Sequence, residues 1–166
     1  MKISPSKNLI ASADILGKIK ICEFPNVFNV QSVLFYENED VILMDFFSKS
    51  NRELVVLDSK NALHFWSVES FKTICKIPLE EVLLENTKLT SIEIISIMPY
   101  DENLIYVETK EEYFILEKQK SSQLIIRKKV KKHESILQSK NFFLEEEGKV
   151  LSVGDDGKIS FIYELN

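Results

Sequence analysis

The chain has 166 residues, of which 45% are hydrophobic, so it is long and apolar enough for one globular domain with a substantial core. Its 26 acidic and 21 basic residues give a net charge of -5, which excludes a surface that is basic throughout, as in a general nucleic-acid platform. No apolar run approaches the roughly 18 residues of a membrane-spanning helix. The N-terminus has no signal-peptide pattern, so we expect an intracellular protein, in the nucleus or cytoplasm, with no membrane partner.

Short apolar runs alternate with polar turns along the chain, a pattern typical of β-strands. Within this pattern, a pair of strands joined by a tight turn recurs four times. The predicted pairs are Leu9–Asp14 with Lys18–Phe24, Glu53–Asp58 with Ala62–Val68, Leu104–Glu108 with Glu112–Glu117, and Lys149–Val153 with Ile159–Glu164. One segment departs from the pattern, because Pro78 followed by the acidic stretch Leu79–Lys88 predicts a helical turn or short helix.

The repeat has a measurable period. Cys22, Trp66, Leu116 and Ile162 occupy the same place in their copies, so successive steps are 44, 50 and 46 residues. These steps lie at or slightly above the roughly 40–45-residue period of WD-repeat β-propeller blades, each of four antiparallel strands. We therefore predict an all-β fold, a β-propeller of WD-repeat type with about four blades.

The predicted blades form a single domain over residues 1–166. Their approximate bounds are 1–38, 39–79, 90–130 and 134–166. Since most WD-repeat propellers have seven blades, this is a partial or reduced propeller. Three arrangements stay open: a trimmed or reduced chain, a partner that covers exposed blade faces and strand edges, or four blades that close on themselves.

The sequence carries no pattern typical of catalysis or metal binding. Cys22 and Cys75 lie in apolar runs and are expected to be buried free thiols in a reducing compartment. His64 and His133 have no Cys or His neighbour at ligand spacing, so no metal and no cofactor are expected. A nucleophile elbow, a phosphate-binding loop and a carboxylate dyad are also missing from the sequence. We expect a non-enzymatic protein, in which Trp66 fills a blade interface.

A series of motifs over roughly residues 3–130 follows the order found in one WD-repeat family. The motifs are Ser4-Pro5, Ser12-Ala13-Asp14, Ile19-Lys20-Ile21-Cys22, Leu34-Phe35-Tyr36-Glu37, Phe65-Trp66-Ser67, and Tyr106-Val107-Glu108-Thr109-Lys110. In this order they resemble the non-catalytic WD-repeat subunit of tRNA (guanine-N(7)-)-methyltransferase. The chain departs from the family pattern at Ile15-Leu16, where the family has Arg-Asp, at Tyr36-Glu37, where it has Gly-His, and at Lys60, where it has Asp.

The resemblance implies a scaffold that binds and stabilises a methyltransferase catalytic subunit as a heterodimer and so supports tRNA modification. In the family, a basic residue at the position of Lys20 pairs with acidic side chains of that partner. Lys18 and Asp14 flank the same turn and are predicted to join this partner-binding patch. Alternatively, Asp14 caps its own turn, and Lys20 is a solvated residue on a blade face.

The alternative function is a general WD-repeat interaction scaffold, for example in ribosome assembly or trafficking. A propeller enzyme or lectin has only the fold class in its favour.

One basic cluster precedes the predicted fourth blade. It comprises Arg127, Lys128, Lys129, Lys131 and Lys132, followed by His133. These residues are candidate RNA contacts, because phosphate binding requires clustered cations. Alternatively, they form a solvated strand end whose charge is balanced by nearby acids such as Glu111 and Glu112. The tRNA would then be reached only indirectly, through the catalytic subunit.

Overall fold

The computed structural model describes residues 1–14, 16–35, 40–46, 53–85, 92–99, 103–131, 139–144, 149–154 and 159–164. The chain divides into two compact units, Met1–Lys129 and Val130–Asn166. In the described part of the chain, nearly all regular structure is β-strand, with one short helix.

The first unit contains three four-stranded antiparallel sheets whose strands follow one another in chain order. Sheet I consists of β1 (Lys2–Ile3), β2 (Leu9–Ala13), β3 (Lys18–Glu23) and β4 (Val30–Phe35). Sheet II consists of β5 (Val41–Phe46), β6 (Glu53–Asp58), β7 (Ala62–Ser67) and β8 (Lys72–Pro78). After the helix α1 (Leu79–Leu84), sheet III consists of β9 (Ile94–Pro99), β10 (Leu104–Thr109), β11 (Glu112–Lys118) and β12 (Leu124–Lys131), of which the last two residues belong to the second unit.

The second unit contains a three-stranded antiparallel sheet. Its strands are β13 (Ser139–Leu144), β14 (Lys149–Gly154) and β15 (Ile159–Glu164), in that order across the sheet. The pairing of β14 with β15 shifts register between Val150 and Leu151.

The predicted strand pairs are confirmed in all four sheets, within one or two residues at each end. The predicted short helix is confirmed as α1, and its last predicted residues, 86–88, lie outside the described residues. Strands β9 and β13, which open the predicted third and fourth blades, begin at Ile94 and Ser139. The blade bounds and the grouping of the whole chain into one propeller domain stay predictions.

Two apolar cores hold the three sheets of the first unit together. The core between sheets I and II contains Ala11, Ile19 and Ile21 from sheet I against Leu54 and Val56 from sheet II. The core between sheets II and III contains side chains from the opposite face of sheet II and from sheet III. Its buried members include Val55, Leu57, Phe65, Ile105, Val107, Phe114 and Leu116. Strand β6 is therefore buried on both faces, which explains its continuous apolar run.

Helix α1 is positioned by the turn between β6 and β7. The backbone amides of Leu79 and Glu80 donate to the carbonyl oxygen of Asn61, at 3.0 and 3.3 Å. Leu79 and Leu83, one helical turn apart, are both buried in the core between sheets II and III. Asn61 has a φ of 56°, a left-handed conformation that asparagine tolerates well.

Ionic contacts also connect neighbouring sheets in the first unit. Lys2 Nζ lies 2.6 Å from Asp45 Oδ2, which links β1 to β5. Lys118 at the end of β11 pairs with Glu53 at the start of β6, and its Nζ lies 4.7 Å from the centre of the Phe65 ring. The Lys118 side chain is 10% exposed, so this contact crosses the boundary between sheets II and III in a largely desolvated setting.

Candidate functional site

The turn between β2 and β3 is organised by Asp14. Its Oδ1 accepts hydrogen bonds from the backbone amides of Leu16 and Lys18, at 2.9 and 3.0 Å. Gly17 in this turn has a φ of 75°, which glycine adopts without strain. The structure therefore gives Asp14 a capping role, as the alternative interpretation held, and its contact with a partner stays a prediction.

Strand β3 presents its residues alternately to the core and to the opposite face of sheet I. Ile19 and Ile21 are fully buried against sheet II, whereas Lys20 between them is exposed. Lys20 lies between Ser12 of β2 and Val33 of β4 in the sheet register. Lys18 is half-buried and shares the Lys20 face, because alternate residues of a strand point the same way. The structure thus brings together the two lysines of the predicted partner-binding patch.

We call the face of sheet I opposite sheet II the outer face. Its residues are Ile3, Ile10, Ser12, Lys18, Lys20, Cys22, Val30 and Val33. The aliphatic residues at its two margins, Ile3 and Val30, are 44% and 48% exposed. The outer face therefore combines aliphatic residues exposed at its margins, two buried apolar residues between them, Ile10 and Cys22, and two lysines.

Asp58 organises the turn between β6 and β7 as Asp14 does in sheet I, but it is fully buried. Its Oδ1 accepts hydrogen bonds from the backbone amides of Lys60 and Ala62, at 2.9 and 2.8 Å. Its Oδ2 lies 2.6 Å from His64 Nε2 and 3.3 Å from Lys76 Nζ. The carboxylate thus joins β6, β7 and β8, and His64 is a buried structural residue rather than a ligand.

The sequence pattern did not predict this buried network around Asp58. The signal that reveals it is the equivalent place of Asp14 and Asp58 in two copies of the repeat. In sheet III the same turn is closed by Thr109, whose Oγ1 accepts from the amide of Glu112 at 3.0 Å and donates to its carbonyl at 2.9 Å. A short polar side chain at this position is therefore a recurring device for closing the turn.

Two members of the basic cluster pair with carboxylates of the neighbouring strand β11. Arg127 binds Glu117, and this hydrogen bond lowers the pKa of Glu117. Lys129 Nζ lies 3.2 Å from Glu112 Oε2. The structure describes only the backbone of Lys131, and Lys132 lies outside the described residues. RNA contact by the cluster stays a prediction, but part of its charge is balanced within sheet III.

Sheet III also holds a buried tyrosine pair. Tyr106 stacks on Tyr113, with ring centres 5.8 Å apart, and its hydroxyl has no hydrogen-bond partner among the described residues. Burial, together with the charges of Glu108 and Tyr113, raises the pKa of Tyr106 far above its usual value. The hydroxyl therefore stays protonated at neutral pH and is not poised as a base or nucleophile.

Three further features concern the described residues only. Cys22 and Cys75 are free thiols, of which Cys22 is buried and Cys75 partly exposed. Within the described ranges, no three His, Cys, Asp or Glu side chains lie close enough together to hold a metal ion. No helix in this part of the chain has the length and apolar character to cross a membrane.

Comparisons with known proteins bear on the fold. The chain is similar to the C-terminal WD40 domain of Sif2, with a TM-score of 0.63 and 16% sequence identity over 97% of its length. The fold is of the WD40 β-propeller class. This chain spans 41% of the Sif2 domain chain that it matches. No family model and no curated protein matches the sequence.

The similarity confirms the predicted all-β fold of WD-repeat type. At 16% identity, it carries no information about partners or activity. The resemblance to the methyltransferase subunit, and with it the role of Lys20, stays a prediction.

Proposed function

We propose that this WD40 chain is a non-catalytic interaction subunit that binds a protein partner through the outer face of sheet I. The observation that supports this most is the placement of Lys20. Its neighbours Ile19 and Ile21 are buried in the core, so the lysine stem projects from the opposite face of the sheet, between Ser12 and Val33. A fixed cation beside apolar surface favours recognition of a folded protein, since both charge and shape are preorganised.

The first-choice partner is the catalytic subunit of a tRNA (guanine-N(7)-)-methyltransferase. The support is the order of sequence motifs, above all Ser12-Ala13-Asp14 and Ile19-Lys20-Ile21-Cys22, which together contribute much of β2 and β3. A lysine that is desolvated against a carboxylate in such an interface contributes about 1.5–3 kcal/mol. The chain would hold the catalytic subunit in an active form, and that subunit would perform the methylation.

The tRNA is then reached through the catalytic subunit. Arg127 and Lys129 already pair with Glu117 and Glu112, which favours a structural role for these two cations. Direct phosphate contact by the basic cluster is the alternative to this indirect route. Such contact would make tRNA binding by the complex depend more strongly on salt than binding by the catalytic subunit alone.

Co-expression with the catalytic subunit of the same source tests the proposal. We expect a one-to-one complex by size-exclusion chromatography with light scattering. Lys20→Glu should weaken the affinity, measured by isothermal titration calorimetry, at least tenfold, because 1.4 kcal/mol corresponds to a factor of about ten. Lys72→Glu is the matched control, since Lys72 is also an exposed strand lysine but lies on β8 of sheet II.

The outcome separates the two candidate functions. No complex with the catalytic subunit, or equal affinities of the Lys20→Glu and Lys72→Glu variants, would refute the methyltransferase role. A general WD-repeat scaffold in ribosome assembly or trafficking then takes its place. That role predicts that the chain purified from its source carries other proteins at fixed stoichiometry, without a methyltransferase.

A further inference from the structure

Strands β4, β8 and β12 form the outer edges of their sheets. Each is the last strand of its sheet, and no other strand of the described residues, in either unit, pairs with its far side. The first strands of the three sheets lie at the opposite edge, where β5 contacts both β1 and β9. Because the sheets stack face against face in the two cores, a further stacked sheet would cover a face and leave these outer edges open.

The outer edge of β4 lacks the charges that protect the other two. An exposed strand edge is a template for pairing with a foreign strand, and proteins commonly prevent such pairing with charged side chains, above all lysine. Strand β8 carries Lys72 and Lys76, and β12 carries four cations over residues 127–131. Strand β4 (Val30–Phe35) carries neither a charged residue nor a proline. Of the three outer edges, that of β4 is therefore the one suited to receive another strand.

Most of β4 has the regular geometry that strand pairing requires. Its pairing with β3 shifts register between Ile21 and Cys22, which leaves Gln31 outside the regular ladder. A similar shift occurs between β7 and β8, so this irregularity does not distinguish the two edges. From Ser32 to Phe35 the pairing with β3 is continuous. At about 3.4 Å per residue, this stretch offers about 14 Å of regular backbone, enough for the main-chain hydrogen bonds of a short added strand.

Exposed apolar side chains cluster at the start of β4. Phe28 is 93% exposed, and Val27 and Val30 are about half exposed. The loop that carries Phe28 is closed by a hydrogen bond from the backbone amide of Glu23 to the carbonyl of Asn29, at 3.0 Å. An exposed aromatic side chain on a hydrogen-bonded loop is typical of the residues that anchor protein interfaces. The edge of β4 thus lies beside apolar surface that a bound segment can cover.

The repeat of this chain supplies no further strand for this edge. Each sheet of the first unit has four strands that follow one another in chain order. A longer chain with the same repeat would add further four-stranded sheets, and these stack on faces. A fifth strand on sheet I therefore comes from outside the repeat.

The charge beside the edge selects the occupant. Lys20 of β3 lies next to Val33 of β4 on the outer face. A strand added to β4 lies two strand spacings from β3, about 10 Å, a gap that a lysine and a glutamate side chain span together across Val33. A second copy of the chain paired through β4 brings no carboxylate, since β4 has no acidic residue. A partner strand with Asp or Glu at this position complements the charge of Lys20.

We infer that a protein partner adds an extended segment to β4 as a fifth strand of sheet I. The segment directs an acidic side chain to Lys20 and places apolar side chains against Phe28. Main-chain hydrogen bonds to β4 supply affinity, and the side chains supply specificity. This inference rests on the proposed function for the existence of a protein partner, but not for that partner's identity.

Amide hydrogen exchange measured by NMR, with the purified catalytic subunit, provides the first test. Strand addition changes alternate amides, because every second residue of an antiparallel strand bonds to the same neighbour. Over Ser32–Phe35, we expect at least tenfold slower exchange at the amides that point away from β3, and less than twofold change along the outer edge of β8. If the subunit binds but these amides exchange as in the free chain, the strand inference is wrong although the proposed function stands.

Variants at the edge provide a second test. Val33→Lys gives β4 the kind of charge that protects β8 and should weaken the affinity for the subunit at least tenfold. Val33→Thr, which stays β-branched and uncharged, and Ile74→Lys on β8 should each change it less than twofold, with folding checked by circular dichroism. Equal affinities of Val33→Lys and Ile74→Lys would overturn the inference. So would a dimer of the chain alone, seen by light scattering, that Val33→Lys dissociates, because the occupant would then be a second copy.

Site-specific crosslinking in the source cells tests the inference without assuming the partner. Val33→p-benzoylphenylalanine should crosslink to a segment of another protein that carries Asp or Glu, and Ile74→p-benzoylphenylalanine should not capture that protein. The captured protein, once purified, should slow the same alternate amides of β4, and reversal of its acid to Lys should restore at least half of the affinity lost in Lys20→Glu. No crosslink, a crosslink within the chain or to a second copy, or a failed charge reversal would overturn the inference. A supporting result with a protein other than the methyltransferase would refute only the methyltransferase role.

Discussion

Removal of the buried carboxylate of Asp58 should destabilise the first unit far more than removal of the equivalent carboxylate of Asp14. Asp58→Ala takes away the acceptor for the amides of Lys60 and Ala62 and leaves His64 and Lys76 without their carboxylate partner. A buried donor that loses its hydrogen-bond partner costs about 1–3 kcal/mol, so loss of the contacts to the Ala62 amide and the His64 ring costs about 2–6 kcal/mol. For a protein of this size, each kcal/mol lowers the melting temperature by about 2–4 °C, so the expected fall is about 4–24 °C.

Asp14→Ala is the matched control. Asp14 accepts the same type of backbone hydrogen bonds in its turn, but its side chain is exposed, so its loss should cost only about 1 kcal/mol. Asp58→Asn keeps a turn acceptor without the charge and should fall between the two. Thermal melting and urea unfolding, followed by circular dichroism, measure these differences. If Asp58→Ala and Asp14→Ala lower the melting temperature equally, burial of the Asp58 network contributes nothing and the reasoning fails.

Two further predictions concern charged residues of sheet III. Lys118→Ala should lower the free energy of unfolding, measured in urea, by about 2 kcal/mol, because it removes the contact with Phe65 and the pairing with Glu53. Lys118→Met should lower it less, because methionine keeps an apolar stem. Equal losses of stability in the two variants would contradict this prediction. Arg127 lowers the pKa of Glu117 from its usual 4.5, so this pair contributes stability above that pH and loses the contribution as the pH falls through the lowered pKa. Arg127→Gln should therefore reduce the difference between the urea unfolding midpoints at pH 7 and pH 3. An unchanged difference would contradict a stabilising role of this pair.

The strands could be predicted from the sequence because each one carries its own signal. Alternating apolar residues and short polar turns located β2, β3, β6 and β7, and the alternation alone placed Lys20 opposite Ile19 and Ile21. The helix α1 was recognisable from Pro78 and the acids that follow it. All of these signals are local, within about ten residues.

The buried polar contacts could not be predicted, because they depend on how strands pair and how sheets pack. The sequence shows Asp58 as an ordinary turn residue, and only the register of β7 and β8 brings His64 and Lys76 to its carboxylate. The pairing of Lys118 with Glu53 joins residues 65 positions apart on different sheets. The pairing of Lys129 with Glu112 was closer to prediction, since charge balance by neighbouring acids was one of the two interpretations of the basic cluster.

Hydrogen–deuterium exchange of the chain, alone and with the purified methyltransferase catalytic subunit, tests the central claim most directly. The claim is that the outer face of sheet I is the partner-binding surface. We expect slower exchange in the loop and strand over residues 24–33 when the subunit is present, and unchanged exchange in β8 (Lys72–Pro78) of sheet II. Protection of β8 with no change over residues 24–33, or no protection anywhere, would contradict it.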